Sequence, residues 1–130
     1  MIRIDHVALW TRDVDRLVAF YCTYFAGNAG DRYVNTTKGF ESRFVSFDSG
    51  ARLEIMKTTS LRPVEPGPGA QRMGLTHLAL SVGSENDVNQ LIERLRHDGH
   101  PIVDNPRRTG DGYYEGVALD PDGNRVEITA

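Results

Sequence analysis

Two histidines and two glutamates recur in this chain in a fixed pattern, and they are the residues whose types could do chemistry. The stretch IDHVALWT carries His6 as its third letter and LTHLALSV carries His77 in the same place, while FDSGARLEIM holds Glu54 and LDPDGNRVEIT holds Glu127 in matching positions. The two His-to-Glu intervals are 48 and 50 residues. One strand histidine is usually a packed or solvated side chain, but packing has no need of His twice and Glu twice at equivalent places in a repeat. Two imidazoles and two carboxylates suit a borderline divalent ion such as Ni²⁺, Zn²⁺, Co²⁺, Fe²⁺ or Mn²⁺, with positions left for water or substrate. Calcium would ask for more oxygen ligands. The expectation is one such ion per site, held by His6, Glu54, His77 and Glu127.

The elements that must position these residues are also duplicated. Val14, Leu17, Val18 and Tyr21 in the first half, and Val88, Leu91, Ile92 and Leu95 in the second, are spaced as one face of a helix. Asp13 suits the N-cap of the first helix, and Ser84 with Asp87 three residues on resembles a capping box for the second. After the first helix, DRYVNTT, FESRFVSFD and RLEIMK read as strands; after the second, PIVDNP, YYEGVALD and RVEIT do the same, with Asn105-Pro106 and DPDGN as turns. The fold class expected is α+β, two tandem β-α-β-β-β modules forming a curved mixed sheet. Module 1 covers 1–57 and module 2 covers 74–130. The segment 58–73 between them holds three prolines without periodicity and reads as a linker. Its length lets the halves pair within one chain or reach to a second chain.

Alternation along a strand assigns faces. Leu53 and Ile55 oppose Arg52, Glu54 and Met56; Val126 and Ile128 oppose Arg125, Glu127 and Thr129. With the aliphatic face against the helices, His6, Ala8 and Trp10, and likewise His77, Ala79 and Ser81, fall on the helix-free side. The same parity puts Trp10, Phe44, Ser46, Met56 and Tyr114 there as substrate-binding neighbours, with Val45, Phe47, Val117 and Leu119 read as helix-facing core. Such a trough would favour an apolar or planar group, with Arg43, Arg52 and Arg125 available as a carboxylate clamp.

Composition bounds the rest. In 130 residues, 39% are hydrophobic and 25% charged, the profile of a soluble globular chain. A net charge of -3 with scattered Lys and Arg offers no footprint for nucleic acid. No apolar run spans a membrane and MIRIDHVALW has no signal-peptide core, so a cytoplasmic location is expected. Cys22 is the single cysteine, which suits a reducing compartment, and VAFYCTYF suggests a buried small hydrophobe. His97 and His100, in RLRHDGHP, read as helix-terminal residues without chemistry.

With DHVAL opening one half, THLALSV the other and DPDGNRVEI closing the chain, the sequence resembles the vicinal oxygen chelate superfamily, which includes glyoxalase I-like proteins. The resemblance spans nearly the whole chain and puts His6, Glu54, His77 and Glu127 on that family's four metal-ligand positions. It implies a metal-dependent lyase or isomerase acting on a small α-oxygenated carbonyl compound by proton transfer through a metal-stabilised enediolate. Glu127 is implied as the proton-shuttling base, with Glu54 as its partner. Glutamate at the Glu54 position is similar to the glyoxalase and epimerase branch rather than to dioxygenases. An acyl-thioester epimerase, a metal-dependent dioxygenase and a drug-binding protein without turnover are the alternatives. Bacterial glyoxalase I-like sequences carry an arginine and an asparagine for glutathione where this chain has Trp10 and Thr58, which points away from a glutathione adduct. A homodimer is the family's expectation.

Overall fold

The computed structural model describes residues 1–63, 65 and 67–130. It divides into two compact units, Met1–Pro63 and Val64–Ala130. Within the expected linker, Val64 and Pro66 lie outside the described residues.

The first unit runs β1 (His6–Trp10), α1 (Val14–Phe25), β2 (Asn28–Ala29), β3 (Tyr33–Asn35), β4 (Phe40–Ser46) and β5 (Arg52–Thr58). The second runs β6 (His77–Ser81), α2 (Glu85–His97), β7 (Ile102–Arg108), β8 (Tyr114–Leu119) and β9 (Arg125–Thr129). Each unit builds its own mixed sheet. The strand orders are β1-β5-β4-β2, with β3 also on β4, and β6-β9-β8-β7. The His-bearing and Glu-bearing strands pair in parallel in both units, and the remaining pairings are antiparallel. This is the expected α+β architecture of twin modules. The short strand β2, pairing Asn28 with Ser46 and Ala29 with Val45, is an addition the sequence pattern does not announce.

Both helices begin where their caps put them. The Asp13 side chain accepts from the Arg16 N–H at 3.0 Å, and the Ser84 hydroxyl oxygen accepts from the Asp87 N–H at 3.1 Å. Each bond satisfies one of the donors that a helix start leaves unpaired. Helix α1 buries Val14, Leu17, Val18 and Tyr21, as its stripe predicts, and adds Phe20. Against it lie Val45, Leu53 and Ile55, all buried. Helix α2 buries Val88, Ile92 and Leu95 over Ala118, Val126 and Ile128. Removing each large aliphatic side chain from water contributes about 1.5–3 kcal/mol before conformational entropy is counted. Cys22, expected to be buried, is only half-buried. It follows Tyr21 by one residue, which turns it about 100° from the core stripe.

Asn105-Pro106 is not a turn. Both residues lie inside β7, whose register with β8 shifts between Ile102 and Asp104 and again between Asp104 and Arg107. β7 ends the strand order of its sheet, and a proline is accommodated on such an edge or at a bulge because no ladder donor is demanded of it. The reversal comes later, at Thr109–Tyr113, where the Thr109 N–H donates to the Tyr113 carbonyl at 2.8 Å and Gly112 takes φ +93°.

Candidate functional site

Strand register brings the sequence-distant residues together within each unit. In the first, His6 pairs with Arg52, Ala8 with Glu54 and Trp10 with Met56. In the second, His77 pairs with Arg125, Ala79 with Glu127 and Ser81 with Thr129. Paired residues share a face, so each His, Glu and Arg stands on the helix-free side, and on the histidine strand an alanine methyl stands opposite each glutamate. His6 Nε2 lies 3.5 Å from Glu54 Oε2, and His77 Nε2 lies 3.3 Å from Glu127 Oε2. The exposures also match, at 41% and 18% for the first pair and 39% and 19% for the second.

These distances are compatible with both atoms of a pair facing one cation. Two donors each about 2.1 Å from one ion sit roughly 3.0–3.4 Å apart at octahedral or tetrahedral angles. Each unit thus offers one nitrogen and one oxygen at coordination spacing. Among the described residues, no group of three or more His, Cys, Asp or Glu gathers as a ready-made cage.

Around the first pair, Phe44 stands opposite Glu54 in the register, and its ring meets the His6 ring edge-on at 5.4 Å. The Arg52 guanidinium carbon lies 4.2 Å over the same ring. Asp5, which the motif reading passed over, contacts both His6 Nδ1 and Arg52 Nη2 at 2.9 Å. The hydrogen bond with His6, joined by the bond and charge of Arg52, holds the Asp5 carboxyl down at about 2. Met56 and Ser46 are half-buried, and the Ser46 hydroxyl donates to the Asn28 carbonyl at 3.4 Å. Trp10, half exposed, meets Phe40 edge-on at 6.2 Å, and Phe40 in turn lies 6.1 Å from Tyr33. Phe40 and the buried Ser42 pair with Thr58 and Met56, so the helix-free face includes them too. The alternation that selects Phe44 and Ser46 selects Ser42 and Phe40 as well.

The second unit corrects the parity of β8. Gly116 and Ala118 pair with Ile128 and Val126, so the small residues face the helix. A β-carbon at Gly116 would stand 2.9 Å from Ile92 Cδ1, which shows how closely α2 approaches. Tyr114, expected among the substrate-binding residues of the helix-free face, therefore sits on the helix side, where its hydroxyl donates to Asn89 Oδ1 of α2 at 2.7 Å. Val117, expected in the core, pairs with Glu127, and Leu119 pairs with Arg125; both belong to the open face. Hydrophobicity misassigned this strand because a tightly packed helix selects glycine and alanine, leaving the larger side chains for the other side. Glu115 is a second consequence. It is buried on the open face opposite Thr129, and a hydrogen bond with Glu127, aided by burial and by the Glu127 charge, pushes its carboxyl up to about 7.

Of the arginines, Arg43 is drawn to the helix side, pairing with Ile55 in register, donating from Nε to the Gly30 carbonyl at 3.0 Å and lying 3.7 Å from Asp15 of α1. Arg52 and Arg125 keep their places beside the histidines. His97 ends α2 with Nδ1 3.2 Å from Asp98, a helix-terminal contact as expected. No helix among the described residues is long and apolar enough to cross a membrane.

An uncharacterized Bacillus subtilis (strain 168) protein, YqjT, is 36% identical over 70 residues, which is 52% of this chain and 55% of that protein. The chain thus spans about half the length of the curated relative it matches. Among solved structures, glyoxalase I from Zea mays superposes with a TM-score of 0.77 at 21% identity, covering 98% of this chain and 44% of the maize chain. The trypanothione-dependent glyoxalase I of Leishmania major gives 0.73 at 19% identity, covering 99% and 86%. A glyoxylase/bleomycin resistance protein/dioxygenase domain from Frankia sp. EAN1pec gives 0.77 at 20% identity, covering 99% and 97%. At these identities the likeness is one of fold. The family model of the Glyoxalase/Bleomycin resistance protein/Dioxygenase superfamily matches residues 3–128, and the chain, with its twin modules and duplicated His–Glu register, belongs to that superfamily.

Proposed function

We propose that the protein is a metal-dependent lyase or isomerase of glyoxalase I type, moving a proton at a carbon next to a carbonyl in a small α-oxygenated compound. The observation that carries this reading is the pair of matched His Nε2–Glu Oε2 separations, 3.5 and 3.3 Å, at the same register in both units. His6, Glu54, His77 and Glu127 are the ligands on this reading. When bound, a divalent ion supplies positive charge where negative charge develops as the proton leaves, worth several kcal/mol of barrier. The chain's own part is to hold and move that proton. Glu127 takes it from the carbon acid on one carboxylate oxygen and returns it to the neighbouring carbon, with Glu54 as its partner. Trp10, Phe44 and Met56 supply the apolar wall against which the substrate's non-reacting part rests. Trp10 and Thr58 in place of glutathione-reading residues favour a substrate other than a glutathione adduct.

The reading includes a homodimer and a reducing, cytoplasmic location. Ile2 and Ile4 before β1, and Met73 and Leu75 before β6, are exposed apolar side chains at matching repeat positions, the kind of surface a second copy covers. Cys22 is the only cysteine, as suits reducing conditions.

Metal analysis of the purified protein, followed by assay of hemithioacetals and acyl thioesters with Ni²⁺, Zn²⁺ and Mn²⁺, tests the proposal. One tightly held ion per site and turnover that falls by about 10²-fold or more in Glu127→Gln are expected, as for loss of a general base. Ligand binding by metal-free protein without turnover would instead identify a sequestering protein.

A further inference from the structure

The two units match at His, Ala, Glu and Arg but differ at the residue just before each histidine, which is Asp5 in one and Thr76 in the other. Asp5 Oδ2 lies 2.9 Å from His6 Nδ1 and 2.9 Å from Arg52 Nη2. Arg52 is itself laid over Phe44, and the His6 ring stands edge-on to that same phenyl group at 85°. The imidazole is thus gripped at Nδ1 and along one side, with Nε2 turned toward Glu54. Arg125, the counterpart of Arg52, does something else: its Nη1 donates to the Gly69 carbonyl at 3.2 Å.

We propose that Asp5, held by Arg52, is a positioning residue: it accepts the Nδ1–H of His6 and fixes the ring in the tautomer whose Nε2 lone pair faces an ion beside Glu54. An ionised carboxylate only accepts hydrogen bonds, so a bond at this contact puts the hydrogen on Nδ1. A carboxylate behind a ligating histidine orients the ring and raises its basicity. Thr76 brings a hydroxyl without the charge. Of the two histidines, His6 is therefore the one whose ring is held in place by a carboxylate. This assignment rests on His6 being a metal ligand, as proposed above.

The test is made on metal-free, ¹⁵N-labelled protein by reading the ring nitrogens of His6 and His77 at mildly alkaline pH, with circular dichroism confirming that each variant folds. The expected result is a His6 ring protonated at Nδ1 alone, a His77 ring of mixed tautomers, and a His6 that becomes mixed in Asp5→Ala and is partly restored in Asp5→Asn. Titration with Zn²⁺ should show affinity reduced about 10- to 100-fold in Asp5→Ala, partly recovered in Asp5→Asn and within about two-fold of the parent in Thr76→Ala. A His6 protonated at Nε2, or at both nitrogens, or unchanged in Asp5→Ala would overturn the assignment. Equal Zn²⁺ affinity in parent and Asp5→Ala would overturn it as well. If the parent binds no divalent ion while His6 shows the Asp5-dependent tautomer, the metal reading fails and the orienting role of Asp5 stands.

Discussion

Single side chains decide what this site can do, and the least symmetric of them are the most informative. Glu115 and Glu127 share a hydrogen bond on the open face of the second sheet. A carboxyl raised from 4.5 to about 7 keeps its proton in the folded chain over a range where the unfolded chain has lost it. The stabilisation is complete below pH 4.5 and is lost as pH rises through about 7. Thermal unfolding of metal-free protein should therefore show stability falling across that window, and Glu115→Gln should flatten the fall. An equal slope in parent and variant would mean that the two carboxyl groups do not share a proton. For the proposed ligands, His6→Ala and His77→Ala should each weaken Zn²⁺ binding measured by calorimetry, by about 10-fold or more.

Secondary-structure elements matter here through how closely they pack. Helix α2 lies on β8 at a distance that only glycine tolerates at position 116. Gly116→Val should cost about 1–3 kcal/mol in denaturant unfolding, because the added methyls must displace Ile92 from a filled core. At the start of α1, Asp13→Ala should cost about 1 kcal/mol by loss of the cap to Arg16 N–H. The stripes, the caps and the Glu-bearing strands were readable because helix and strand periods are properties of neighbours in sequence. The continuation of β7 through Asn105-Pro106 and the facing of β8 were not. An edge strand hides its proline, and hydrophobicity alone assigns the larger side chains, not glycine and alanine, to the helix-facing side.

At the scale of the molecule, the duplication is the organising fact: each unit carries the same parallel pairing of a histidine strand with a glutamate strand. Loading with an ion should raise the stability of the protein by about 2.7 kcal/mol at one hundred times its Kd, and a chelator should reverse this. A melting temperature indifferent to Ni²⁺, Zn²⁺ and Mn²⁺ would argue for a binding protein without a metal. Size-exclusion chromatography with light scattering tests the proposed dimer, which Leu75→Glu with Met73→Glu should shift toward monomer.

The sequence alone determined the repeat, the four polar residues that recur in it and the strand faces that carry His6, Glu54, His77 and Glu127, because recurrence and alternation are written along the chain. Only the tertiary structure decided that Tyr114 turns to the helix while Val117 and Glu115 turn to the site, and that Asp5 reaches His6 and Arg52 together. Those outcomes depend on the distance between packed elements and on which side chains meet across strands, and neither is a property of any one segment.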